Sequence, residues 1–443
     1  MATICIVGLW HQGSVLSACF ADLGHRVSGV GEERSVSALN AGRPPVHEPR
    51  LATLIRRNIR RGRLQYTADL AEGLRGAEFV YIAFDTPVGA DDVARVEVVL
   101  DAARAIGGYL SRPRLLCVSA QVPIGTCEQV EGILREQNPR AASEVVCVPE
   151  FLRLGSAVES FRRADRFVIG SATPAAARRV AALYKPLRRP IVLTDLRTAE
   201  MAKHASNAYL AASISFINEI ADLCDEAGAD VVEVARIMRL DRRIGKDAFL
   251  NAGLGFAGGT LGRDVRALQA LGRRTGRATA FMDAVIAVND ARAGLVDDRL
   301  RRLYGSLRGL RVGVLGLTYK PGTSTLRRSA AVEIIRRLVA GGADVAAFDP
   351  LARLDEGLDL PPFDRCPDPY AAARAADAVV LVTEWAGIRA VNLRHLRAAM
   401  DRPIMIDTRN FFDPGEMERL GFTYFGIGRS GGGLRGRKEH YRA

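Results

Sequence analysis

The feature that most restricts how this chain can fold is a rhythm. Over residues 1 to about 195, short apolar runs alternate with stretches of helical periodicity. Strand patterns fall at 2–7, 26–30, 78–84, 114–119, 144–148, 166–169 and 190–193. Helical patterns lie between them, as at 14–23, 48–60, 95–110, 126–136 and 173–184. Such alternation predicts a doubly wound parallel sheet. The rhythm then stops. Residues 197 to about 240, interrupted near "GAD" (228–230), and residues 279–304 are helical with no strand between them, which predicts a helical middle domain. Alternation restarts at 311–315, 330–340, 344–348, 377–382 and 404–406, the pattern of a second, smaller α/β domain.

The first strand pattern runs into "GLWHQG" (8–13), the frame of the dinucleotide fingerprint G-x-G-x-x-G with Trp10 at the central glycine position. In that fingerprint the first glycine makes the tight turn and the third lets helix pack on strand. The central one lets a diphosphate approach bare backbone. Gly8 and Gly13 therefore read as cofactor contacts or, more plainly, as packing glycines. The expected fold class is α/β, with two Rossmann-like doubly wound parallel-sheet domains joined by a helical middle domain. Its boundaries are set at 1–196, 197–305 and 306–427, followed by a basic flexible tail over 428–443. "FDTPVG" (84–89), "SAQVPIG" (119–125) and "GLTYKPGT" (316–323) fall at carboxyl ends of strands, where open α/β sheets bind ligands.

Composition narrows the function. A chain of 443 residues with 48% hydrophobic and 25% charged residues is that of an ordinary globular protein. No apolar run reaches the length of a membrane span, and Met1 leads straight into a strand pattern, so a cytoplasmic location is expected, with no membrane partner. The seven cysteines are odd in number, scattered and free of C-x-x-C spacing. They read as reduced, buried thiols, and no metal site is expected. The net charge of +12 raises nucleic acid as a partner, but the arginines are spread among acidic residues and aromatics make up only 6%. A protein that handles anionic small molecules accounts for the charge equally well. Lysine is rare: of 62 basic residues only Lys185, Lys203, Lys246, Lys320 and Lys438 are not arginine, which draws attention to each.

Several motifs occur in a fixed order: "NAGRPPVHEPRL" (40–51), "TP" (86–87), "PEFLRLGSAV" (149–158), "AKHASNAYLAASISFINEI" (202–220) and "DRRIG" (241–245). "FLNAGLGFAGGTLGRDVRAL" (249–268), "YKPGTSTLRRS" (319–329), "TEWAG" (383–387) and "IDTRNFFDP" (406–414) follow. Together they resemble the UDP-glucose/GDP-mannose dehydrogenase family, in its UDP-glucose 6-dehydrogenase branch, over essentially the whole chain. The resemblance implies oxidation of a sugar C6 alcohol to a carboxylate in two NAD-dependent steps. A cysteine thiolate captures the aldehyde, and water then hydrolyses the thioester.

Carried over residue by residue, the resemblance divides the chain. The family's catalytic lysine, asparagine and aspartate match Lys203, Asn207 and Asp264. The plainer reading makes the first two a solvated helix face and the third a helix N-cap. At the position of the catalytic cysteine stands Thr260, in "AGGT", and at that of the glutamate in "PEFLREG" stands Leu154. Gln121 replaces a loop threonine. On the substrate side the resemblance implies sugar-nucleotide contacts from Phe151, Leu152, Phe249, Gly253, Gly255, Lys320 and Arg409, and from Arg243 across a dimer interface. The plainer reading of 253–259 is a flexible loop without a ligand. On the cofactor side Gly8, Gly13, Thr86 and Arg327 match family NAD contacts. Trp10 and Gly31 do not, Thr325 stands where an acid is common, and Glu32 or Glu33 can stand in for the ribose-binding acid. The expectation is a homologue that binds a UDP-glucose-like sugar nucleotide as a homodimer, or as a heteromer with an active paralogue. Its NAD affinity is expected to be reduced or lost and its oxidation chemistry lost or altered. The alternatives are an active NAD-dependent enzyme that performs a two-electron oxidation and, last, a basic nucleic-acid-binding protein.

Overall fold

The computed structural model describes residues 1–86, 95–139, 141, 143–355 and 357–429. The predicted loop 84–89 is thus seen only to Thr86, and the predicted tail beyond Arg429 lies outside the described residues. The chain divides into two compact units, one of Met1–Ser206 with Arg266–Thr275, the other of Asn207–Val265 and the chain from Gly276 on. The helical middle segment is shared between them.

The first unit is built on eight strands: β1 (Thr3–Val7), β2 (Arg26–Val30), β3 (Leu64–Thr67), β4 (Phe79–Ile82), β5 (Leu115–Val118), β6 (Glu144–Cys147), β7 (Phe167–Ser171) and β8 (Ile191–Thr194). Their order is β3-β2-β1-β4-β5-β6-β7-β8. Both faces are covered, and side-chain direction alternates accordingly. Ile4, Ile6, Phe79 and Tyr81 enter one core cluster, while Cys5, Val7, Val80 and Ile82 enter the other. Phe20, Tyr81, Phe161 and Tyr184 pack edge to face or tilted in the first cluster. The Tyr81 and Tyr184 hydroxyls, 3.1 Å apart, satisfy each other there.

The doubly wound parallel sheet is present as expected, with one pairing of opposite sense. β7 pairs antiparallel with β6, through Val146 with Ser171 and Cys147 with Gly170. β7 and β8 are parallel to each other. Apolar patterning identifies a strand but carries no information on its direction, which depends on where the connecting segment crosses. Strand β3, only four residues long, is not among the strand patterns.

The second unit holds six strands, β9 (Arg311–Leu315), β10 (Asp344–Phe348), β11 (Asp364–Arg365), β12 (Ala378–Leu381), β13 (Ile404–Asp407) and β14 (Thr423–Phe425). All their pairings are parallel, in the order β11-β10-β9-β12-β13-β14. The strand order reverses beside β1 in the first sheet and beside β9 in the second, so each sheet has a crevice at those strands' carboxyl ends. The helices Leu196–Ala227, Val231–Leu240, Leu261–Thr275, Ala280–Ala291 and Leu295–Tyr304 make up the strand-free stretch. All seven cysteines are free thiols and six are buried. Burial pushes Cys5 and Cys19 up to about 12, so these thiols stay protonated and inert.

Candidate active site

In the first unit the turn after β1 leads into helix α1 (His11–Asp22). Gly8 has a φ of +97°, and a β-carbon there would lie 3.0 Å from the Phe84 ring. At Gly13 a β-carbon would fall 1.7 Å from the Gly8 carbonyl oxygen, so α1 can lie on β1 only with glycine at that point. Packing alone therefore demands both glycines. Trp10 precedes α1 with no side-chain cap, its ring centroid 6.2 Å from that of His11.

His11 is buried and its Nε2 lies 2.8 Å from Oε1 of the buried Glu48. Burial works to lower the His11 pKa. The Glu48 hydrogen bond and the charges of Asp85, Glu48 and Glu150 outweigh it, so the pKa is raised. Glu48 also accepts from the amides of Gly155 and Ala157, the latter at 3.0 Å, and so ties the "VHEP" and "LGSAV" segments together. Gln12 turns its amide onto Ser119, with Nε2 2.7 Å from the carbonyl oxygen, while its backbone N–H faces Asp85 Oδ2 at 3.4 Å. Thr86 donates its hydroxyl to the Gln121 carbonyl at 2.7 Å. Gly31, covered by Leu9, is followed by Glu32, which is exposed at the N-cap position of helix Glu33–Asn40 with no side-chain capping bond.

The long helix Leu196–Ala227 holds the 119–125 loop. Glu200 accepts from the amides of Gly125 (2.6 Å) and Cys127 (2.9 Å), and His204 Nε2 lies 2.8 Å from the Val122 carbonyl oxygen. On the same helix Lys203 is 5% exposed, and its ammonium stands 4.9 Å from the centroid of the Phe151 ring. The Arg166 guanidinium lies 4.4 Å from that ring. Two cations thus share one aromatic ring, each drawn to its π-electrons, and Arg166 also donates to the Ser206 hydroxyl at 3.1 Å. Leu152 donates its amide to Glu150 Oε2 at 2.5 Å, and Leu154 is partly buried in the segment that follows.

In the second unit Asn207 donates its side-chain amide to Asp264 Oδ2, and both side chains are buried. Asp264 lies in the first turn of helix Leu261–Thr275 and is not its cap, because its own amide donates to the Thr260 carbonyl. The plainer readings are thus corrected: Lys203 and Asn207 are buried and not a solvated helix face, and Asp264 is buried inside the helix and not its N-cap. Thr260 stands at the head of the Asp264 helix, where the backbone amides and dipole favour negative charge.

The glycine-rich loop before Thr260 is not loose. Gly253 donates to Asn218 Oδ1 at 2.8 Å, and Phe256 to Asn289 Oδ1 at 2.7 Å. Arg292 reaches the Gly253 carbonyl with Nε at 3.3 Å. A β-carbon at Gly253 would lie 2.8 Å from the Thr408 carbonyl oxygen, one at Gly255 2.4 Å from Asn289, and one at Gly258 2.5 Å from the Tyr319 ring. The loop therefore packs on the segments after β9 and β13 that carry Lys320 and Arg409. Arg409 donates Nε to the Val382 carbonyl at 2.7 Å and lies 3.2 Å from Glu384. The Lys320 ammonium is 5.8 Å from the Tyr319 ring centroid. Phe249 and Arg327 are exposed. Arg243 is exposed and forks onto Asp241, with Nη2 to Oδ2 at 2.6 Å. Sequence reasoning did not single out Asn218, Arg292, Glu48 or Asp85. No spacing rule marks a residue whose task is to hold another segment's backbone.

Residues 2–188 match the NAD binding domain of the UDP-glucose/GDP-mannose dehydrogenase family. Residues 197–291 match its central domain and 313–414 its UDP binding domain. The chain belongs to the UDP-glucose/GDP-mannose dehydrogenase family. It is 40% identical to a UDP-glucose 6-dehydrogenase of Rhizobium meliloti over 96% of this chain and 99% of that one. It is 39% identical to the Pseudomonas aeruginosa UDP-glucose 6-dehydrogenase, over 96% and 97%. A UDP-glucose dehydrogenase structure from Pyrobaculum islandicum superposes with a TM-score of 0.88 at 33% identity, covering 97% of this chain and 98% of that chain. Within this oxidoreductase family the turn after β1 is the segment where the dinucleotide fingerprint places a diphosphate. A diphosphate needs bare backbone and open amides at the helix head. Trp10 stands at the position of the fingerprint's central glycine, and the Asp85 carboxylate faces the Gln12 amide.

Proposed function

We propose that this chain binds a UDP-glucose-like sugar nucleotide and does not complete the family's four-electron oxidation. The observation that carries this reading is Thr260 at the head of helix Leu261–Thr275, in the position the resemblance assigns to the thiol nucleophile. A hydroxyl at its ordinary pKa attacks poorly without an adjacent base, and Leu154 removes the carboxylate that would serve the later steps. Lys203, Asn207 and Asp264 retain the proton-handling and oxyanion-holding roles. Phe151, Leu152, Phe249, Gly253, Lys320 and Arg409 hold the sugar nucleotide, and fixed cations beside glycine-loop amides suit its diphosphate. Gly8, Gly13, Glu32, Thr86 and Arg327 are the remnants of an NAD site.

The proposed assembly is a homodimer. Tyr209, Phe216 and Leu223 are exposed at seven-residue intervals on the long helix, a stripe suited to a second copy. Arg243 then serves the partner's site. The three proposed domains are 1–196, 197–305 and 306–427.

The test is to count NADH formed per UDP-glucose consumed by the purified protein. None is expected, with UDP-glucose still bound in calorimetry; two per sugar overturns the reading. One per sugar establishes the second reading, a two-electron oxidation that stops at the aldehyde. The buried Asn207–Asp264 pair and Lys203 favour that second reading, since loss of the first hydride needs no thiol. In Thr260→Cys/Leu154→Glu, oxidation beyond the aldehyde is expected to return only if the dinucleotide still binds.

A further inference from the structure

We propose that the Asp85 carboxylate supplies, from within the chain, the anion at the head of α1, so that this turn excludes a dinucleotide's diphosphate. The inference deepens the reading of a sugar-nucleotide binder with abandoned oxidation, and rests on it. It begins with position. The strand order of the first sheet reverses beside β1, with β4 as the next strand, and the crevice at their carboxyl ends is where such sheets receive phosphates. Gly8 follows β1 and Asp85 follows β4, so both border that crevice.

The first amides of a helix have no partner within the helix and aim at whatever anion lies ahead of it. Here the Gln12 amide faces Asp85 Oδ2 at 3.4 Å, while the Gln12 side chain is turned away onto Ser119. Negative charge is already abundant. The carboxylates of Asp85, Glu48 and Glu150 all act on one imidazole, His11, and favour its protonated form. A diphosphate arriving at this turn adds two charges of the same sign, while Trp10 stands where the backbone should be bare.

The second sheet offers an internal parallel. There the carboxylate of Asp349, just after β10, fills the turn after β9. Its Oδ2 accepts from the amides of Leu317 (2.8 Å) and Thr318 (2.9 Å), from the Thr318 hydroxyl (2.9 Å) and from Trp385 Nε1 (3.0 Å). In the second sheet, then, a carboxylate from a neighbouring strand's end takes up the amides that follow the first strand. The glycines that remain at the first crevice are explained by the β1–α1 packing, with no ligand required.

The test is NADH binding, followed by fluorescence and calorimetry, to the full chain, Asp85→Gly, Trp10→Gly and the double variant. UDP-glucose binding serves as the control for an intact fold. The wild type is expected to show no saturable NADH binding, and removal of Asp85 in the Trp10→Gly background to raise affinity about ten-fold or more. Equal affinities of Trp10→Gly and the double variant would overturn the inference. Saturable NADH binding by the wild type without oxidation of UDP-glucose overturns it alone, whereas two NADH per sugar overturns the functional reading with it. A second readout is the His11 titration by NMR. Its pKa is expected to fall in Asp85→Asn, and an unmoved value places the carboxylate away from the head of α1 and overturns the inference.

Discussion

At the scale of single residues, burial separates some polar side chains from the solvated surface. Lys203 shows this best: a sequence that uses arginine almost everywhere keeps lysine here, and the side chain is buried over the Phe151 ring. His11 supplies a prediction with a definite sign. Its pKa in the fold is raised above the unfolded value of about 6.5, so the protonated form is held more tightly in the native state. The stabilisation from its Glu48 pairing is fully present below the unfolded pKa and is lost as pH rises through the folded one. Urea unfolding of wild type and His11→Gln over a pH series is expected to show the largest stability gap at acidic pH, narrowing as pH rises. A gap that widens with pH would contradict the assignment.

At the scale of elements, two glycines make opposite predictions from the same substitution. Gly13→Ala drives a methyl group into the Gly8 carbonyl and must lift α1 off β1. It is expected to cost at least about 1–3 kcal/mol in chemical denaturation, the range for overpacking. Gly132 lies inside helix Thr126–Gln137, and a β-carbon there meets nothing within 4 Å. Gly132→Ala is expected to stabilise by about 0.4–1 kcal/mol, through a less flexible unfolded chain and better helix propensity. Both positions are glycines inside helices, and only the structure tells the obligatory one from the dispensable one.

At the scale of the whole molecule, the exposed stripe of Tyr209, Phe216 and Leu223 predicts association. Sedimentation is expected to show a dimer for the wild type and a monomer for Tyr209→Glu/Phe216→Glu, with the monomer still folded by circular dichroism. A dimer that persists in that variant would move the interface elsewhere. Among the described residues no helix is long and apolar enough to cross a membrane.

What could be read from the sequence alone was whatever depends on local pattern. Apolar runs such as 2–7 and 311–315 declared strands, because a sheet covered on both faces needs apolar side chains on both. Motif order then pointed to the family, with Thr260 and Leu154 standing where the resemblance expects a cysteine and a glutamate. The direction of β7 and β8 was not legible, because pairing sense depends on distant backbone and not on composition. Nor was the burial of Asn207 against Asp264, since 57 residues separate the partners and no spacing rule joins them. Asp85 is the clearest case. In the sequence it is one acid beside "TP". Only the tertiary structure, by bringing the end of β4 alongside the head of α1, turns it into an anion in the path of a cofactor.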